Sequence, residues 1–175
     1  TPTPHKVNLP PDFLNSYGLT KYLGEEIIRK CSTNKIEFNI LRLFNVFGPG
    51  QPKVGNYALV FGIFLDQKKK NKPLNIHGDG NQSRDFIHVE DVSNAFLKAC
   101  FSEVNGRTFN VGSGKSISVK ELAKLISDDF IYSPRRANDA MHTLADITDT
   151  KGLLKWNVNI EPVNEIKKII REELF

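Results

Sequence analysis

Phe38-Asn39-Ile40-Leu41-Arg42-Leu43-Phe44-Asn45-Val46-Phe47 runs directly into Gly48-Pro49-Gly50. Apolar residues crowd the ten-residue stretch without strict alternation, the pattern of a strand buried on both faces, as in a parallel sheet. Gly-Pro-Gly ends it. Before it, Leu19, Tyr22, Leu23, Ile27 and Cys31 recur at helical spacing and predict a helix over about residues 17–31. After it the pattern predicts a helix at about 57–69, a short strand over Leu74–His77 and a helix at about 90–101. A strand at 108–111 follows. Ser118 and Glu121 then form a capping box that opens a helix reaching about residue 128. Residues 133–139 read as a charged loop, and short helices near 149–154 and 163–174 close the chain. Alternating strands and helices make this an α/β protein with parallel strands.

Two glycine clusters were weighed as phosphate-binding loops. Gly112-Ser113-Gly114-Lys115-Ser116 has the end of a P-loop, but the earlier glycine that the loop needs is Phe109. Gly78-Asp79-Gly80 opens like a dinucleotide fingerprint, yet its third glycine would be Ser83 and no amphipathic helix follows at once. Neither motif stands.

The chain has 175 residues, 39% hydrophobic and 25% charged, the composition of a soluble globular protein. A net charge of +4 is spread out, apart from Lys68-Lys69-Lys70-Asn71-Lys72, which reads as the solvated end of a helix. Nucleic-acid binding therefore finds no support, whereas an anionic small molecule suits the charge. Cys31 and Cys100 fall within apolar helical patterns and are expected to be buried free thiols. No Cys/His spacing suggests a metal site. No apolar run approaches the ~20 residues of a membrane span, and no signal-peptide pattern is present, so the cytoplasm is the expected location. The chain starts at Thr1, in the loop Thr1-Pro2-Thr3-Pro4, and reads as a piece of something longer.

Tyr17 and Lys21 carry the clearest chemistry. A helix puts residues four apart on one face, so the Lys21 ammonium can lie near the Tyr17 phenol. A free phenol, with a pKa of about 10, is a poor base at neutral pH. A nearby cation favours the phenolate and lowers that value.

Four motifs stand in order: Tyr17-Gly-Leu-Thr-Lys21, Arg42-Leu-Phe-Asn-Val-Phe-Gly-Pro49, Gly78-Asp-Gly-Asn-Gln-Ser-Arg-Asp-Phe-Ile-His-Val-Glu-Asp-Val92 and Phe109-Asn-Val-Gly-Ser-Gly114. Together with Arg136-Ala-Asn-Asp139 and Ala145-Asp146, they resemble the extended short-chain dehydrogenase/reductase family, specifically its NAD-dependent sugar-nucleotide epimerases and dehydratases. The resemblance covers essentially the whole chain. It implies the C-terminal part of a doubly wound NAD-binding Rossmann domain plus a smaller α/β substrate-binding domain. Residues 1–49 would end the first and 50–175 would mainly form the second, with about 88–112 returning to the first. The family's N-terminal half, with the glycine-rich NAD loop, the ribose-binding acid and a Ser or Thr that assists the tyrosine, is expected as a missing partner.

By the same resemblance, Tyr17 is the acid/base, and Lys21 bonds the nicotinamide ribose and lowers the tyrosine pKa. Phe44 lies beside nicotinamide, with Tyr17 and Lys21 as the other cofactor contacts. Asn45 meets the sugar diphosphate, Arg84 and Arg136 the phosphates, Asp139 the ribose, and His77 stacks on the base. Asp85 is expected to be structural. Two departures bear on the sugar: Leu59 stands where relatives often carry Asn, with Asn56 out of register, and Thr143 replaces a frequent aromatic. The implied activity is a UDP-hexose 4-epimerase using NAD, with a 4,6-dehydratase or a non-catalytic sugar-nucleotide module as alternatives. A homodimer through the Tyr/Lys helix is also implied.

Overall fold

The stretch expected to be one strand is two. Asn39–Leu43 (β1) and Asn45–Phe47 (β2) are separated by Phe44 alone, because the chain changes partners there. β1 pairs in parallel with Arg107–Val111 (β6), and β2 pairs in parallel with Phe86–His88 (β5). Backbone bonds hold the changeover: Phe44 N donates to Val111 O, and Asn45 N donates to Asp85 O, each at 3.0 Å. In open α/β sheets, ligands gather where strand connections diverge in this way.

This computed structural model describes residues 3–32, 36–55 and 57–174. Thr1, Pro2 and Asn56, named in the sequence reading, lie outside the described residues. The other elements are Ser16–Cys31 (α1), Val60–Lys69 (α2), Leu74–His77 (β3), Ser83–Arg84 (β4), Val89–Cys100 (α3), Ile117–Ser118 (β7), Val119–Ile126 (α4), Phe130–Ser133 (β8), Thr148–Leu154 (α5) and Pro162–Leu174 (α6). β3 pairs in parallel with β8, and β4 pairs antiparallel with β7. The capping box opens α4 as expected: Glu121 N donates to the Ser118 hydroxyl at 3.1 Å, and Ser118 N to Glu121 Oε2 at 2.9 Å. From the sequence, no element is assigned to residues 130–132, and the charged loop starts at Ser133, the last residue of β8. Its four residues are too short for alternation to show, and pairing with β3 fixes them.

Two apolar cores form. One gathers Phe47, Phe61, Phe64, Leu74, Phe86 and Leu122 between α2, α4, α6 and the β3 region. The other gathers Ile87, Val92, Phe109, Val111, Ala145 and Trp156 around β5, β6 and α3. Trp156 is anchored by its indole N–H, which donates to Asp91 O at 2.9 Å.

Two expectations about burial change, those for the 38–47 strand and for the cysteines. β1 is less buried than its apolar run suggests: of its residues only Ile40 is buried, and Leu43 is exposed. The apolar stripe of α1 exists, but Leu19, Leu23 and Ile27 are all exposed and no residue of the helix is buried. Cys31 and Cys100 are exposed free thiols rather than buried ones. The cause is common: an apolar pattern tells which residues share a run or a face, not whether another element covers it. No helix among the described residues is long and apolar enough to cross a membrane.

Candidate functional site

α1 starts where Asn15 caps it, with the Asn15 Oδ1 accepting from Gly18 N at 3.0 Å. One turn of helix then brings Lys21 over Tyr17, with the ammonium nitrogen 5.3 Å from the ring centroid. Tyr17 is 65% exposed, so its hydroxyl is open to an incoming group. The pair lines a cavity of about 550 Å³ between α1 and β1, together with Asp12, Tyr22, Glu25 and Arg42. Among the described residues Lys21 forms no ion pair.

Tyr17 also faces a second cavity of about 300 Å³, shared with Phe44, Gln51, Tyr57 and Leu59. Phe44, at the strand changeover, stacks on His5 with ring centroids 6.2 Å apart. Leu59 continues into a third cavity of about 390 Å³, where Asn45, His77, Arg84, Arg136 and Asp139 meet. The eight residues singled out from the sequence thus line three adjoining cavities, with Tyr17 and Leu59 as the shared walls.

The third cavity is built from separate elements. Arg84 ends β4 and is buried, and its guanidinium donates to Asp139 Oδ1 at 2.8 Å and to Met141 O at 3.4 Å. His77 ends β3. Arg136 can only donate, so the 3.2 Å contact makes His77 Nε2 an acceptor, and Nδ1–H then donates to Pro134 O at 3.3 Å. Two guanidinium groups on one wall make a site suited to phosphate oxygens, which the planar fork of arginine meets bidentately.

Asp85 supports this wall from behind. It is fully buried, and its carboxylate accepts from Ser113 N and Oγ, Gly114 N and Ala145 N at 2.7–3.1 Å. Burial pushes its carboxyl up from the usual range, against the pull of these donors. The P-loop-like glycine segment is therefore already occupied: its N–H groups hold a carboxylate of the chain. Gly112 is needed at this point, since a Cβ there would lie 2.6 Å from the Ala145 Cβ and 2.8 Å from Asp85 Oδ2.

Two residues given no role in the sequence reading help to shape the site. Gln82 Nε2 donates to His77 O at 2.6 Å. Thr143, noted only as a departure, accepts from Asp85 N at 3.1 Å and donates to Asn45 Oδ1 at 3.5 Å. Nothing in the local spacing marks Thr143, because its partners Asp85 and Asn45 are distant in the chain. The model of the NAD dependent epimerase/dehydratase family matches residues 1–112. The chain belongs to this family.

Within the family, the chain is 37% identical over 170 residues to a protein assigned as a UDP-glucose 4-epimerase in Methanocaldococcus jannaschii, covering 93% of this chain and 54% of that protein. It is 30% identical over 148 residues to a dTDP-L-rhamnose 4-epimerase of Burkholderia thailandensis, covering 80% of this chain and 41% of that one. Its fold matches a UDP-N-acetylglucosamine 4-epimerase from Methanobrevibacter ruminantium, solved in complex with UDP-N-acetylmuramic acid. There the TM-score is 0.84 at 29% identity, covering 98% of this chain and 56% of the other. The α/β fold read from the sequence is thus that of the Rossmann-type epimerases. The chain spans about half the length of the relatives it matches.

Proposed function

We propose that the chain is the C-terminal part of an NAD-dependent 4-epimerase acting on a UDP-hexose. The observation that carries the reading is Leu59, which lines both the cavity that Tyr17 faces and the arginine-lined one. A sugar nucleotide seated with its diphosphate on Arg84 and Arg136 directs its hexose past Leu59 toward the Tyr17 phenol. His77 then stacks on the base and Asn45 meets the sugar diphosphate. Asp139, already held by Arg84, takes a ribose hydroxyl.

Tyr17, Lys21 and Phe44 are the residues of this chain that would hold the cofactor. They fit it because Lys21, with no ion pair among the described residues, borders an open cavity of about 550 Å³. When bound, NAD supplies a reversible hydride acceptor for the carbon that Tyr17 serves. Tyr17 takes the proton of the sugar 4-hydroxyl and later returns it. Lys21 favours the phenolate that this requires. Between the two proton transfers the 4-keto sugar turns over in the site, so the hydroxyl is restored on the opposite face. The exposed Leu19, Leu23 and Ile27 of α1 support pairing of two copies along that helix.

The test is a product assay on the gene-encoded protein, offered NAD with UDP-glucose, UDP-galactose, their N-acetyl forms or dTDP-glucose. A C4 epimer is expected and identifies the sugar. A 4-keto-6-deoxy product replaces the reading with a dehydratase. Tight binding without turnover replaces it with a non-catalytic module.

A further inference from the structure

Tyr17, Lys21 and Glu25 follow one another at four-residue steps on α1, and all three line the same cavity. A lysine and a glutamate so spaced on a helix ordinarily pair. Such a pair would draw the Lys21 ammonium away from Tyr17 and cancel part of its charge.

Here Glu25 is already taken. Its Oε1 accepts from Arg42 Nε at 2.7 Å, and its Oε2 accepts from Arg42 Nη2 and Arg29 Nη2, each at 2.8 Å. Both arginines are anchored elsewhere as well. Arg42 sits on β1 and also donates to Val7 O at 3.2 Å, while Arg29 donates to Glu26 at 2.5 Å and to Thr108 Oγ1 on β6 at 2.8 Å. The Glu25 side chain is only 12% exposed, while Arg42 is 31% exposed, so the carboxylate is the shielded member of the pair. Among the described residues the only other carboxylate lining the cavity is Asp12.

We infer that Arg42, assisted by Arg29, is a positioning residue that keeps Glu25 away from Lys21 and so leaves the ammonium free to poise Tyr17. The inference rests on the reading of Tyr17 and Lys21 as the proton-transfer pair. Burial alone would raise the Glu25 carboxyl, but the bonds and charges of the two arginines outweigh it and leave it below its usual range. Glu25 thus stays ionised at neutral pH and would compete for Lys21 if released.

The test is a cycle read at the Tyr17 phenol, by NMR titration of the chain carrying ¹³Cζ-labelled tyrosine. The quantity is the change in the Tyr17 midpoint caused by Lys21→Met, measured in three backgrounds. In the wild-type background Lys21→Met raises the midpoint. In Arg42→Met that effect falls to about half, as a released Glu25 shares Lys21. In Arg42→Met/Glu25→Gln it returns to its full size. Simple loss of one charge at residue 42 moves every midpoint but leaves the Lys21 effect unchanged, and an equal effect in all three backgrounds overturns the inference. No effect of Lys21→Met in the wild-type background overturns the Tyr17/Lys21 reading itself. If Arg42→Met does not fold, Arg29→Met with and without Glu25→Gln makes the same comparison.

Discussion

Asp85 accepts both the backbone N–H and the hydroxyl of Ser113, each at 2.7 Å, while fully buried. This one carboxylate ties the β6–β7 connection to the segment that leads on from Met141 and Thr143, and it stands directly behind Arg84. It is the fixed floor on which the arginine-lined wall is mounted.

Asp85→Ala therefore takes the acceptor from three backbone N–H groups, two of them, those of Ser113 and Ala145, at buried positions. The loss of stability should be about 3–5 kcal/mol, the range for removing one member of a buried charged network. Urea unfolding measures it. A loss under about 1 kcal/mol would mean that water replaces the carboxylate and that the floor is not fixed.

Much of this organisation was legible in the sequence, and the parts that were not have physical reasons. The helix of Tyr17 and Lys21, the β3 strand and the Ser118–Glu121 cap follow from local spacing and chemistry, and the structure has them. The rejection of the P-loop at Gly112 was right in outcome, but only the fold reveals that Asp85 fills the nest. The break at Phe44 could not be read, because a change of strand partner leaves no mark on an apolar run. The bonds of Thr143 were equally hidden, since they join residues far apart in the chain. Burial was the main error. Cys31 and Cys100 share the pattern of a covered face and are nonetheless exposed.

The arginines around Glu25 set a pH dependence. The folded protein holds this carboxyl below its usual range, so it binds protons less readily than in the unfolded chain. The network's contribution is therefore fully present above the unfolded value of about 4.3 and is lost as pH falls through the lower folded value. Glu121 and Asp146 shift in the same direction through bonds with Ser118 and Thr148. Stability from urea midpoints should be flat from neutral pH to about pH 5 and then drop. Glu25→Gln should start lower and drop less. An unchanged acid limb in Glu25→Gln would contradict the assignment.

His77 separates base from phosphate. His77→Phe keeps an aromatic face for stacking but removes the Nε2 acceptor that holds Arg136. Affinity for uridine should stay within about twofold, while affinity for UDP should fall roughly 3–10-fold, the worth of one hydrogen bond. Isothermal titration with the two ligands measures both. Equal losses for uridine and UDP would show that His77 does not act through Arg136.

The most direct measurement is titration of the chain itself with UDP and UDP-glucose, beside its Arg84→Met variant. The account predicts saturable binding of both ligands, weakened about tenfold or more by loss of a charged, bidentate phosphate contact. Absence of saturable binding, or equal binding by Arg84→Met, would contradict the claim that the cavity of Arg84, Arg136 and Asp139 holds a nucleotide diphosphate.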